Sequence, residues 1–144
     1  MRIYSILFIL LSLASCSNKR LDMLCQTWQV SDVQFINEKE AIMQTDTMKG
    51  NQIEVAKFQL RDILMKLIYE FKPDGSYLTG NPSASTEGNY ELKKHAITFI
   101  SKQGEEVKEK SFEIEKLTKD SLILLMQNDQ TSLKVKLILT PVAP

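Results

Sequence analysis

Apolar and polar residues alternate with period two through most of the chain, and the breaks in that alternation divide it into eight strand-like runs. The first, residues 27–36, carries Trp28, Val30, Val33 and Phe35; its apolar phase shifts between Val30 and Val33, and a bulge or bend there restores one buried face. Residues 67–72 put Leu67, Tyr69 and Phe71 on one side and Glu70 and Lys72 on the other, and Pro73-Asp74-Gly75 closes a turn. Six further runs follow at 76–80, 87–93, 95–101, 107–116, 121–127 and 131–140. They are separated by Asn81-Pro82-Ser83, Lys94, Gln103-Gly104, Lys119-Asp120 and Asn128-Asp129. Between the first and second runs the period becomes helical: Ile53, Ala56, Leu60, Ile63, Leu64 and Leu67 share one face around residues 51–65, and Asn51 with Glu54 has the spacing of a capping pair. Residues 37–50 read as irregular loop.

Eight strands in about 115 residues with short connections suit a small up-and-down antiparallel barrel, which removes its sheet edges by closing on itself. The predicted fold class is therefore mainly β, with one helix between the first and second strands; an open sandwich is the alternative. In such a barrel the links after the first, third, fifth and seventh strands share one end. That end receives the long helical link, residues 81–86 and residues 102–106, so a mouth is expected there. The last two strands are apolar on both faces at Ile123, Leu125 and Ile138, and the helix is the expected outer cover.

The N-terminus follows a different pattern. Met1-Arg2 is a short positive segment, and Ile3–Leu13 is an eleven-residue run without a charge, the length of a secretory signal core and well short of the roughly 20 residues of a membrane span. Leu13-Ala14-Ser15-Cys16 then resembles the lipobox of bacterial lipoproteins, in which the cysteine is acylated and becomes the first residue. Leu24 before Cys25 is too large for that role. The expected organisation is a signal peptide at 1–15, lipidated Cys16 and a short tether at 16–20, and one domain at 21–144. Ser17 is not the acidic residue that resembles an inner-membrane retention signal, so the expected location is the outer membrane of a bacterial cell envelope, facing the periplasm.

Charge and composition narrow the function. The 144 residues hold 18 Lys+Arg against 18 Asp+Glu, one His and two Cys. A zero net charge argues against nucleic acid as a partner. With Cys16 acylated, Cys25 has no intrachain partner and reads as a small buried apolar residue. His95 alone makes a histidine metal cage or relay implausible. Glu105-Glu106 and Lys108-Glu109-Lys110 read as a solvated edge, and Ser83, Ser85 and Thr86 have no base at motif spacing. The expectation is a monomeric, non-enzymatic protein without metal or cofactor.

Several segments, in order, resemble the lipocalin-like domains of small bacterial lipoproteins, within the calycin superfamily, over about residues 21–140. Leu24-Cys25-Gln26-Thr27-Trp28 stands where these have a Leu-x-Gly-x-Trp lead-in. Tyr69-Glu70-Phe71-Lys72-Pro73-Asp74-Gly75-Ser76-Tyr77 is similar to their "yeFkpDGty" hairpin, and Glu87-Gly88-Asn89-Tyr90-Glu91-Leu92 to their "GtWel" strand. Residues 112–122 resemble their late strand pair. Gln26 replaces the usual glycine, and Tyr90 a common tryptophan. The resemblance implies that Trp28 plugs the closed base of the barrel, and that a small hydrophobic or amphipathic ligand is the class of molecule to expect. Candidate lining residues are Tyr69, Phe71, Tyr90, Leu92, Ile97, Phe99, Phe112, Ile114, Leu122, Leu124, Val135 and Leu137. They either line a cavity or fill the barrel, which would then serve as an interaction module in an envelope complex.

Replacing the acylated thiol, Cys16→Ser, is expected to abolish incorporation of radiolabelled palmitate and to move the chain out of the membrane fraction of its host cell.

Overall fold

The computed structural model describes residues 15–36, 50–127 and 133–143, without the side chains of residues 15–18, 50 and 51. The signal peptide up to residue 14, the loop at 37–49, the Asn128-Asp129 break, the Cys16 thiol and the Asn51 cap lie outside the described residues. The elements are helix α1 (Ser15–Leu24), β1 (Thr27–Ile36), helix α2 (Gly50–Leu64), β2 (Ile68–Phe71), β3 (Ser76–Asn81), β4 (Ala84–Leu92), β5 (Ala96–Gln103), β6 (Glu106–Leu117), β7 (Leu122–Gln127) and β8 (Lys134–Pro141).

The eight strands pair in chain order, each antiparallel to its neighbour, and β8 pairs back onto β1 to close the barrel. The closing seam runs from Trp28 opposite Pro141 to Ile36 opposite Lys134, and its register shifts between Val30 and Asp32. That bulge, at the position where the sequence slips phase, lets Trp28, Val30 and Val33 all face inward and be buried. A second irregularity lies between Ile114 and Lys116 on β6.

The turns are tighter than the sequence suggests. Asn81 Oδ1 accepts from the backbone N–H groups of Ser83 and Ala84 at 2.9 and 3.0 Å, reversing the chain within two residues. Residues 84–86 therefore belong to β4, paired with Asn81, Gly80 and Thr79, and not to a loop. Gly104 (φ 65°) turns β5 into β6 equally abruptly. In the Pro73-Asp74-Gly75 turn, Gly75 takes φ 86° and Asp74 Oδ1 accepts from Ser76 N and Oγ at 2.9 and 2.6 Å. Those bonds hold the Asp74 carboxyl below its ordinary pKa.

Two helical features add to the sequence reading. The tether residues 17–20 lie in α1. Its apolar residues Leu21 and Leu24 turn toward the core, and Leu24 is fully buried. The second helix buries a narrower face than its periodicity implies. Leu64 is buried and Ile53, Lys57 and Leu60 are half-buried, but Ala56 is exposed and Ile63 is 58% exposed. It packs mainly on β1: Arg61 Nη2 lies 2.8 Å from Asp32 Oδ1, and Lys57 Nζ sits 5.6 Å from the Phe35 ring centroid. Both charged groups tie the helix to β1, one through Asp32 beside the bulge and the other over an aromatic face.

The base is shut by one buried contact. Trp28 has no exposed surface, and its indole N–H donates at 2.9 Å to the Leu24 carbonyl, which also accepts from the Gln26 N–H at 2.8 Å, so the buried indole is satisfied at the end of α1. Gln26 donates from Nε2 to Met23 O at 3.0 Å and to Lys119 O at 2.9 Å, which binds the end of α1 to the β6–β7 turn.

Trp28→Ala is expected to cost about 3–5 kcal/mol through the cavity left at the base, and Trp28→Phe distinctly less, as read from urea denaturation midpoints.

Candidate functional site

Alternation along β2, β4, β5, β6, β7 and β8 carries the twelve candidate residues to the inside of the barrel. Eleven are buried, and Leu92, near the base, is half-buried against them. The aromatic ones among them meet ring against ring. Phe99 lies at the hub: its centroid is 4.9 Å from Tyr77 and 5.1 Å from Phe112, both edge-on, and 5.9 Å from each of Tyr69 and Phe71. Phe71 in turn meets Tyr90 edge-on at 5.2 Å and stacks with Tyr69 at 6.2 Å. These separations are those of aromatic groups in mutual contact. The aromatic candidates thus form one packed cluster, with Leu122, Leu124, Val135 and Leu137 among the most buried side chains.

Tyr77 belongs to this cluster and escaped the sequence reading, although its phase after the Asp-Gly turn marks it as inward. Its ring depends on Gly88 opposite it on β4. A Cβ on Gly88 would come within 2.8 Å of the Tyr77 ring and 2.3 Å of the Ile100 carbonyl oxygen, so the missing side chain is what admits the ring.

Polar groups meet this interior at three points. The Tyr90 hydroxyl donates to Lys72 O at 2.7 Å, with the half-buried Cys25 Sγ 3.6 Å away; burial raises the Tyr90 pKa, and the neighbouring thiol adds to the effect. Tyr77 is raised by burial too, offset in part by Ser101. Burial pushes the Tyr69 phenol up to about 12, partly eased by the nearby Thr79 hydroxyl. Thr79 Oγ1 is itself buried and is without a well-aligned hydrogen-bond partner among the described residues.

Outside the barrel, two open grooves lie among the described residues. One, of about 450 Å³, crosses β3, β4 and β5 between Lys72, Leu78, Glu87, Asn89 and Lys102. The other, of about 410 Å³, runs between β1 and α2, lined by Asp32, Gln34, Phe35, Lys57, Phe58 and Arg61. Phe58 at its lip is 75% exposed, and Val55 and Ile63 on the same helix are more than half exposed. The helical period leaves Phe58 and Val55 off the apolar face but places Ile63 on it. His95 is exposed in the β4–β5 turn, where its carbonyl accepts from Ile114 N at 2.8 Å. Glu105, Glu106, Lys108, Glu109, Lys110, Ser83, Ser85 and Thr86 are all exposed.

No protein-family model matches the chain, and no curated protein matches it. Among solved structures it is similar to a DUF4847 family protein from Bacteroides vulgatus, with 11% sequence identity and a TM-score of 0.45, over 80% of this chain and 92% of that chain.

Tyrosine burial has a pH consequence of definite sign. Between an unfolded pKa of about 10 and the raised native value of Tyr69, the unfolded chain gives up its proton first, so stability present below pH ~10 falls as pH rises toward 12. Urea midpoints measured across this range should fall less steeply for Tyr69→Phe than for the unaltered chain.

Proposed function

We propose that this chain is a non-enzymatic, lipocalin-like lipoprotein of the bacterial cell envelope, anchored through lipid on Cys16 and facing the periplasm from the outer membrane. In this reading its barrel is a filled, rigid interaction module, and it docks an envelope protein through the groove between α2 and β1. The observation that carries the reading is the contact of the Phe99 ring with four other rings, which occupies the middle of the barrel with the chain's own side chains. The exposed Phe58 supports the choice of docking surface, because a large apolar side chain beside an Arg61–Asp32 pair offers an anchor and a polar rim together.

A second reading, capture of a small apolar or amphipathic ligand by the barrel, is favoured by Thr79 Oγ1. A buried hydroxyl without a well-aligned partner among the described residues, beside the Tyr69 phenol, suits the polar end of such a molecule.

Native mass spectrometry of the acylated protein, purified gently from its own membrane, separates the two. A second polypeptide that is lost with Phe58→Asp supports the interaction module. A stoichiometric small molecule beyond the anchor's acyl chains, extractable on denaturation, supports the ligand reading. In a filled barrel Phe99→Trp should also cost ~1–3 kcal/mol through overpacking.

A further inference from the structure

The topology collects charge at one end of a molecule whose net charge is zero. The β2–β3, β4–β5 and β6–β7 connections all lie at the base, with α1 docked among them: Arg20 Nη1 donates to the Lys94 carbonyl, and Gln26 Nε2 to that of Lys119. On α1 and these three connections stand Lys19, Arg20, Lys72, Lys93, Lys94 and Lys119, against Asp22, Asp74 and Asp120. All but Arg20 of the basic six are exposed. The opposite end shows no such excess among the described residues. The β3–β4 turn is uncharged, and the β5–β6 turn carries Glu105.

We infer that the base is a docking face for an anionic phospholipid surface, on which the barrel stands with α2 directed away from the membrane. Charge complementarity is one part of the argument: clustered Lys and Arg are drawn to a negative leaflet surface, each worth about five-fold in binding when close to it. Position is the other. Cys16 lies four residues before Arg20 on α1, about 6 Å along a helix, which is shorter than the ~8 Å over which physiological salt screens exposed charges. The orientation draws on the proposed anchor, while the charge distribution holds without it.

The test uses the full acylated chain in vesicles of phosphatidylcholine with and without phosphatidylglycerol, with lysine reactivity toward an acylating reagent read by mass spectrometry. In phosphatidylglycerol vesicles Lys72, Lys93, Lys94 and Lys119 should react about five-fold more slowly than in phosphatidylcholine alone, while Lys102 and Lys108 near the far end are unchanged. High salt should remove the difference, and so should Lys93→Glu with Lys94→Glu, seen at Lys72 and Lys119. Equal reactivity at both ends, or slowing that is the same on neutral vesicles, overturns the inference. Sedimentation with the neutral vesicles reports the anchor separately. A chain that stays in solution there but is protected on anionic vesicles loses the anchor and keeps the docking face; one that binds neither loses both.

Discussion

The hydrogen bond from the Trp28 indole to the Leu24 carbonyl is the contact on which the rest of this structure hangs. A closed barrel has no sheet edges, but it still has two ends, and a buried end needs both an apolar plug and acceptors for whatever polar groups the plug carries. Trp28 supplies the bulk, and the last turn of α1 supplies the acceptor. Because that acceptor is a backbone carbonyl at a helix terminus, α1 has to stop at Leu24 and turn directly into β1. Gln26 secures this turn from the other side by bonding to both Met23 and Lys119.

The strands were legible because the barrel has one wet face and one dry face, so that period-two alternation states both the element and its orientation. The slip between Val30 and Val33 was legible for the same reason, since only a bulge returns both valines to the dry face. What escaped was governed by contacts rather than by period. α1 is short and polar on most of its surface, and its helical state rests on Leu21 and Leu24 finding the barrel base. On α2 the apolar residues outnumber the positions that β1 can cover. Burial therefore selects Lys57 over Ala56, through the aliphatic stem and the ammonium lying near Phe35, and leaves Ile63 outside. The hairpin at 81–86 was read as loop from its composition, whereas the Asn81 side chain closes the turn and lets Ser85 and Thr86 continue the ladder.

For the interior, the sequence stated which residues point inward but not how they share the space. Ring packing depends on centroid separations and tilts, and these follow from details such as a glycine opposite a tyrosine. Gly88 reads as an ordinary strand break in one dimension; in three it is the vacancy that the Tyr77 ring occupies, so that Phe99 has an edge-on partner on that side. Thr79 puts a hydroxyl on the inward face that Tyr77 begins, and what that hydroxyl meets there depends on the folded surroundings rather than on period.

The seam between β1 and β8 also sets the order in which the molecule can be made. Its partners, Trp28 with Pro141 and Ile36 with Lys134, lie at opposite ends of the described chain, so closure spans more chain, at a higher loop-entropy cost, than any of the seven sequential pairings. Each of those pairings can form as soon as its second strand is synthesised, but the outer edge of β1 must wait for the last strand to be complete. Until then an unpaired edge with Trp28 and two inward valines stands open to any extended chain nearby. The strand that begins the barrel is therefore the last to be sealed, and the nascent protein is most vulnerable to mispairing at the moment just before it is finished.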